Sequence, residues 1–295
     1  MSRGIDHLVL AVRDLDMAAT EYERLGFTLT PRAQHPFGTG NRLAQFDHDF
    51  LELLSVTRPE DISDHQDGAI SFGAFNRDYL NAREGMSMIA LKSNSWEEDR
   101  KTFADAGLSL SAPFEFSRLA RQPDGSDVTV GFKLTFVPDP TTPEAIFFTC
   151  DHQHAPEYFY KPAFQKHENG AVAIDEVMMV ANDPSKSEGY FSRLYGAENV
   201  QNLDGQLIVQ GKGSRFVIMT PGDFSTLYPG SDPITFTGDM VFAGYRVLVD
   251  DLATTRFVLE KNGVKFTGQS GSLWLPAFGT ILEFSAQSKG RTRNE

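Results

Sequence analysis

The 295-residue sequence contains one cysteine, Cys150. That excludes an internal disulfide and any structural zinc site built on two or more cysteines. Long apolar runs are also missing. Residues 8–12 and 177–181 are among the longest, far short of the ~20 residues of a membrane helix. The opening Met1-Ser2-Arg3-Gly4-Ile5-Asp6 has no apolar stretch and no small-residue cleavage site, so no secretory signal is expected. Basic residues are scarce beside acidic ones, 27 against 40, for a formal charge of −13. Such a surface repels phosphate backbones and offers no polybasic membrane patch, which argues against nucleic-acid and membrane partners. What is present is an ordinary hydrophobic fraction of 40%, enough for a globular core. The length suggests two domains with two cores. The expectation is an acidic, soluble, cytoplasmic protein.

A pattern recurs four times. Each unit has a short β-patterned run, an amphipathic stretch ending in glycine, and then further extended segments. The glycines are Gly26, Gly107, Gly196 and Gly263, each in the position of a helix C′ residue. Asp14, Ser95, Asp183 and Asp251 stand where N-caps belong. A strand is expected to begin directly after the first glycine, at Phe27-Thr28-Leu29-Thr30. Further strands are expected at residues 41–46 and 50–54, joined by an Asp47-His48-Asp49 loop. In the second unit they are expected near residues 108–116, 128–137 and 145–150. Each unit therefore reads βαβββ. The glycines are spaced unevenly, by 81, 89 and 67 residues, which suits duplicated modules with variable loops rather than a solenoid. Two units can lay their sheets side by side around a hollow, with every second strand residue facing it. The expected fold is α+β: four modules paired into two domains, 1–160 and 171–290, divided at the Pro-, Gly- and charge-containing stretch 160–170.

At this point the sequence resembles a known group. Gly4-Ile5-Asp6-His7-Leu8-Val9-Leu10-Ala11-Val12, Asp14-Leu15-Asp16 and Leu25-Gly26-Phe27 are similar to the opening of vicinal oxygen chelate proteins, the superfamily of glyoxalase I, extradiol dioxygenases and bleomycin-resistance proteins. His35-Pro36-Phe37-Gly38-Thr39-Gly40-Asn41 followed by Phe50-Leu51-Glu52-Leu53 resembles its glyoxalase-like domain subgroup. The resemblance is good over about residues 4–55 and topologically consistent to residue 284. It implies paired βαβββ modules, in agreement with the repeat. It does not fix function, because the superfamily holds isomerases, lyases, dioxygenases and binders.

The resemblance implies a metal held by a His or Gln on the first strand and a Glu on the fourth strand of each module. His7 and Glu52 match the first pair, and Glu52 lies among leucines, where a carboxylate is costly to bury without a cation or donor. Alternation alone also permits Glu52 to face outward. The matching strands of the second unit, Gly85-Met86-Ser87-Met88-Ile89-Ala90-Leu91 and Ile146-Phe147-Phe148-Thr149-Cys150-Asp151-His152, carry no such pair. A catalytic metal usually keeps three protein ligands. His152 is the candidate third ligand, with Cys150 and His154 as further choices. A polar connection holding His152 and His154 is the alternative. In the second domain, Glu176 and Glu283 occupy ligand-like positions without a histidine beside them. The expectation there is a lost metal site serving as scaffold.

The loop from His35 to Asn41 is the other constellation. Its glycines permit tight geometry around Thr39, and His35, Thr39 and Asn41 are candidate substrate-binding residues. An ordinary Pro-Gly turn is the alternative. No dinucleotide or P-loop spacing and no G-x-S-x-G elbow is present, so no nucleotide cofactor is expected. The 24 phenylalanines suggest an apolar, aromatic pocket. Two function classes follow. One is a metal-dependent enzyme of lyase, isomerase or dioxygenase type. A divalent ion (Zn, Ni, Mn or Fe) would sit on His7, Glu52 and His152, with Glu52 also catalytic. The other is a metal-free small-molecule binder on the same fold. A subunit-interaction role, with pairing as a homodimer, comes third.

Overall fold

A computed structural model of the chain describes residues 3–122, 125–232, 234–269 and 271–286. The first half runs β1 (Ile5–Ala11), α1 (Leu15–Arg24), β2 (Ala33–Gln34), β3 (Thr39–Gln45), β4 (Phe50–Val56) and α2 (Phe72–Ala82). It continues through β5 (Gly85–Lys92), α3 (Trp96–Asp105), β6 (Phe114–Arg121), β7 (Asp127–Val137), β8 (Ile146–His152) and α4 (Pro156–Phe159). The second half runs β9 (Ala171–Ala181), α5 (Glu188–Tyr195), β10 (Val200–Leu203), β11 (Gln206–Gln210), β12 (Arg215–Met219) and α6 (Pro221–Leu227). It closes with β13 (Met240–Val249), α7 (Leu252–Lys261), β14 (Thr267–Gln269), β15 (Ser272–Ala277) and β16 (Thr280–Ala286).

The strands form two eight-stranded sheets, ordered β2-β3-β4-β1-β5-β8-β7-β6 and β10-β11-β12-β9-β13-β16-β15-β14. The same order in both halves confirms four βαβββ modules. Within a module the first and fourth strands run parallel, as β1 with β4, and the two modules meet through antiparallel β1 and β5. The helices start where their caps predict. Asp14 accepts hydrogen bonds from the N–H groups of Asp16 and Met17, and Ser95 and Asp251 cap α3 and α7 in the same way. All four repeat glycines have φ between +67° and +91°, a region that costs a residue with a Cβ about 1–2 kcal/mol.

Two expected strands are displaced. The segment 27–30 is not a strand. Its Thr30 N–H does reach the Leu43 carbonyl, but Pro31 has no N–H to continue a ladder, and β2 forms only at Ala33. Likewise Pro113 delays the strand expected from residue 108, and β6 starts at Phe114.

Central strands such as β1 are buried along their whole length, which fits an unbroken apolar run covered on both faces. Leu8 and Leu10 point to the helix side and Val9 to the other. The helix-bearing faces of both sheets share one core. Phe147 of the first half packs against Phe191, Phe216 and Phe242 of the second, and the buried hydroxyls of Tyr22 and Tyr245 lie 2.5 Å apart. The two cores expected from length are therefore one shared core plus a separate cluster on the inner face of each sheet. The first sheet ends at His152 and the second begins at Ala171. The division at 1–160 and 171–290 stands as a proposal, and its ends at residues 1–2 and 287–290 lie outside the described residues.

Candidate functional site

The inner face of the first sheet lines a narrow, partly open hollow with about 40 Å³ of space for water-sized atoms, so a ligand larger than a few atoms would have to part its aromatic walls. Phe72 of α2 and Phe159 of α4 help line it. The two sheet edges approach one another across it, with Phe116 of β6 stacking edge-on against His35 and Phe37 beside β2. Against these apolar walls stands one polar group, centred on His7 and Glu52.

His7 on β1 and Glu52 on β4 are buried, at 7% and 4% exposure. His7 Nε2 faces Glu52 Oε2 at 3.7 Å, and the imidazole stacks on Phe50 with ring centroids 4.4 Å apart. The other Glu52 oxygen, Oε1, accepts a 2.5 Å hydrogen bond from Asn41 Nδ2. Asn41 also points its amide nitrogen at His35 Nε2, 3.3 Å away. That assigns the His35 proton to Nδ1, which donates to Thr39 Oγ1 at 2.8 Å. Burial pushes the Glu52 carboxyl up, against the opposing pulls of His7 and Asn41. Burial, with repulsion from Arg118 and His7, drives His35 down to about 3, so it is neutral. Thr39, His35, Asn41 and Glu52 thus form a single chain. His35 and Asn41 line the hollow, while Thr39 sits behind them.

Behind His7 stands Asp6. Strict alternation would place neighbours on opposite faces, but the β1–β5 pairing shifts register between Ile5 and His7, a bulge that re-aims side chains. Asp6 Oδ2 accepts a 2.6 Å hydrogen bond from His7 Nδ1. Burial alone would raise the Asp6 carboxyl, but His152 and His7 outweigh it and hold it well below the carboxylate range. With its proton on Nδ1, His7 turns the Nε2 lone pair toward Glu52 Oε2. When His7 is neutral both atoms are acceptors, and two acceptors facing one another in a buried site call for a proton or a cation between them. The 3.7 Å spacing is one that two ligands, each 2.0–2.2 Å from a common ion, can adopt. The pair therefore fits a divalent ion, with Asp6 as the carboxylate that orients the ligating histidine.

His152, the expected third ligand, shares the inner face of β8 with Cys150, but its Nε2 lies 3.3 Å from Asp6 Oδ2 rather than against Glu52. Burial lowers the His152 imidazole, but the Asp6 charge outweighs it and raises it. His154 lies beyond the strand, with Nδ1 3.0 Å from the Gly131 carbonyl. Cys150 lines the hollow, and one ligand atom each from Asp6, His7 and Cys150 lie within 4.8 Å of one another. Burial, reinforced by the Asp6 and Glu52 charges, pushes the thiol well up, so it is protonated.

Register locates the remaining ligand positions. His7 pairs with Phe50 as Met88 pairs with Ile146, and His7 pairs with Ala90 as Met88 pairs with Val9. Met88 is therefore the counterpart of His7 and Phe148 that of Glu52, both apolar. In the second sheet the same register gives Glu176, Val217, Gly244 and Glu283. Between the two glutamates lies a guanidinium. Arg246 Nη2 is 3.1 Å from Glu176 Oε1 and 3.0 Å from Glu283 Oε2, and Arg215 Nε lies 2.5 Å from Glu176 Oε2. Tyr228 donates to Glu283 at 2.9 Å. Arginine occupies the place a metal would take there.

Two charged residues, Asp6 behind His7 and Arg118 on the wall of the hollow, were not among the expected site residues. Asp6 was hidden by the bulge. Arg118 was legible: alternation along β6 puts it on one face with Phe114 and Phe116, and it lines the hollow with Phe116.

A family model described as a glyoxalase-like domain matches residues 5–195, which is the whole first sheet plus β9 and α5. Among solved structures, a hypothetical protein from Staphylococcus aureus is similar with a TM-score of 0.64 and 13% identity, covering 96% of this chain and 99% of that one. The 2,3-dioxygenase LapB from Pseudomonas sp. KL28 gives 0.60 at 10% identity, covering 97% and 94%. A Mn(II)-bound glyoxalase from Novosphingobium aromaticivorans gives 0.54 at 13%, covering 97% and 83%. At these identities the likeness is one of fold. A comparison with curated protein sequences finds no match. With the family model spanning well over half its length, the chain belongs to the glyoxalase-like domain family, within the vicinal oxygen chelate superfamily.

Proposed function

We propose that the chain is an enzyme of glyoxalase or dioxygenase type, acting in the hollow of the first sheet on a small substrate with adjacent oxygens. A divalent metal would be held by His7 and Glu52. The observation that carries this reading is the buried pair His7 Nε2 and Glu52 Oε2, facing each other at 3.7 Å, a spacing that a shared ion can span. The manganese in one structural neighbour supports it. When bound, the metal supplies Lewis acidity toward the substrate oxygens. The protein's own residues do the rest. Asp6 fixes the His7 tautomer and ring. Asn41 holds one Glu52 oxygen and leaves the other directed at His7. His35 and Thr39 hold Asn41 in turn. Phe37, Phe116, Phe132 and Phe159 exclude water from the bound substrate. Imidazole and carboxylate donors suit Zn, Ni, Mn and Fe alike. His152, seated on Asp6, would support the site from behind.

A second reading, a metal-free small-molecule binder, is favoured by Met88 and Phe148 in the matched ligand positions. Metal analysis after loading with Zn, Ni, Mn and Fe(II) separates the two. The expected result is a stoichiometric ion in the wild type that is lost in the His7→Ala/Glu52→Ala double variant. Failure of the wild type to take up any of the four would overturn the metal-dependent enzyme and leave the binder.

A further inference from the structure

Among the described residues lining the hollow, Arg118 is the one cation that the site chemistry leaves unused. It projects from the inner face of edge strand β6, and its Nε is buried without a hydrogen-bond partner. The hydrogen bond it does make is a long one, 3.4 Å from Nη1 to the Leu119 carbonyl. Among the described residues no carboxylate forms an ion pair with it. Glu52, the nearest acid of the hollow, is engaged elsewhere: Oε1 with Asn41 and Oε2 opposite His7. A largely buried guanidinium without a counter-ion is costly. Its planar fork of donors matches a carboxylate in two parallel hydrogen bonds. Around it the walls are aromatic, with Phe116 and Phe132 stacked at a centroid distance of 5.0 Å and Phe159 5.9 Å from Phe132.

We infer that the hollow takes an aromatic or apolar carboxylate, its anionic group on Arg118 and its body against the exposed edges of Phe116, Phe132 and Phe159. This rests on the enzyme reading only in sending the far end of the ligand toward His7 and Glu52. Glu52 and Arg118 already attract one another across the hollow, and a ligand carboxylate hydrogen-bonded to the guanidinium would take over as its nearer counter-ion.

The test uses 3-phenylpropionate and its neutral counterpart 3-phenylpropanol, titrated calorimetrically into the full chain. The wild type is expected to prefer the carboxylate by about tenfold, the range of a charged hydrogen bond. Arg118→Met should lose about tenfold for the carboxylate and little for the alcohol, and Arg118→Lys should keep part of the preference. Thermal unfolding checks that each variant folds. If Arg118→Met does not fold, the wild-type preference and the Arg118→Lys variant decide. Equal affinity of the wild type for both probes, no binding of either, or equal loss of both in Arg118→Met would overturn the inference. The His7→Ala/Glu52→Ala variant keeps the tests apart. It should still prefer the carboxylate even while lacking metal, so a failed metal analysis and a failed Arg118 test are separate results.

Discussion

At the scale of single residues, the site is held by a chain of hydrogen bonds in which each member fixes the next. His35 is the link that responds to pH. Its Nε2 must remain an acceptor for Asn41, and burial lowers its folded-state pKa from 6.5 to about 3. The unfolded chain therefore binds a proton near pH 6.5 that the folded chain refuses until near pH 3. Its contribution to stability is present above 6.5 and is lost as pH falls through that window. The slope per proton reaches about 1.4 kcal/mol per pH unit. Urea unfolding of the wild type and His35→Gln between pH 7 and 4 should show the variant losing stability less steeply. Parallel curves would mean that His35 titrates as an exposed histidine does. His7 and Glu52 were legible as a pair because the family resemblance implies ligands on the first and fourth strands, where both stand among apolar residues. Asp6 was not, because period-two alternation assigns it to the far face and only the bulge brings it beside His7.

At the scale of elements, the hairpin joining β2 to β3 places His35 and Asn41, and it turns on Gly38. Gly38 has φ +86°, and a Cβ there would stand 2.5 Å from Ile62 Cγ1 and 2.6 Å from the Arg58 carbonyl. Its own carbonyl accepts the N–H groups of Thr57 and Arg58, tying the hairpin to the segment after β4. Gly38→Ala should cost about 1–3 kcal/mol from backbone strain, seen as a lowered urea midpoint. It should also weaken metal uptake by moving Asn41 off Glu52. Unchanged stability together with unchanged metal content would show that the turn does not position the site. The same loop shows where sequence reading stops. Its glycines marked a tight turn, but not that the turn's side chains close on one another, with His35 and Thr39 bonded together. Strand periodicity located most of β3, β4 and β7. The prolines at 31 and 113 displaced β2 and β6. No periodicity singled out α2, whose Phe72 roofs the hollow.

At the scale of the whole molecule, the fourfold repeat was visible because helix-ending glycines and N-caps are local signals. The shared core between the sheets was not visible, since nothing local tells which apolar faces will meet. The repeat carries one hollow with the His7–Glu52 pair and one altered copy. In the second sheet the guanidinium of Arg246 bridges Glu176 and Glu283, with Arg215 supplying the second positive charge at Glu176; the glutamates are 3% and 4% exposed. Removing one member of such a group leaves charge buried and unpaired, at a cost of about 3–5 kcal/mol. Arg246→Met should therefore lower the unfolding free energy by that order. Glu283→Gln should cost less, because Arg246 still pairs with Glu176 and the new amide can donate to or accept from its neighbours. Neither should alter metal content or turnover per folded molecule, since the ligands proposed for the metal lie in the first hollow. A loss of metal in Glu283→Gln would place an ion in the second sheet and remove the guanidinium from the role proposed for it. A negligible effect of Arg246→Met on stability would show that the glutamates are neutralised by protonation or by Arg215 alone.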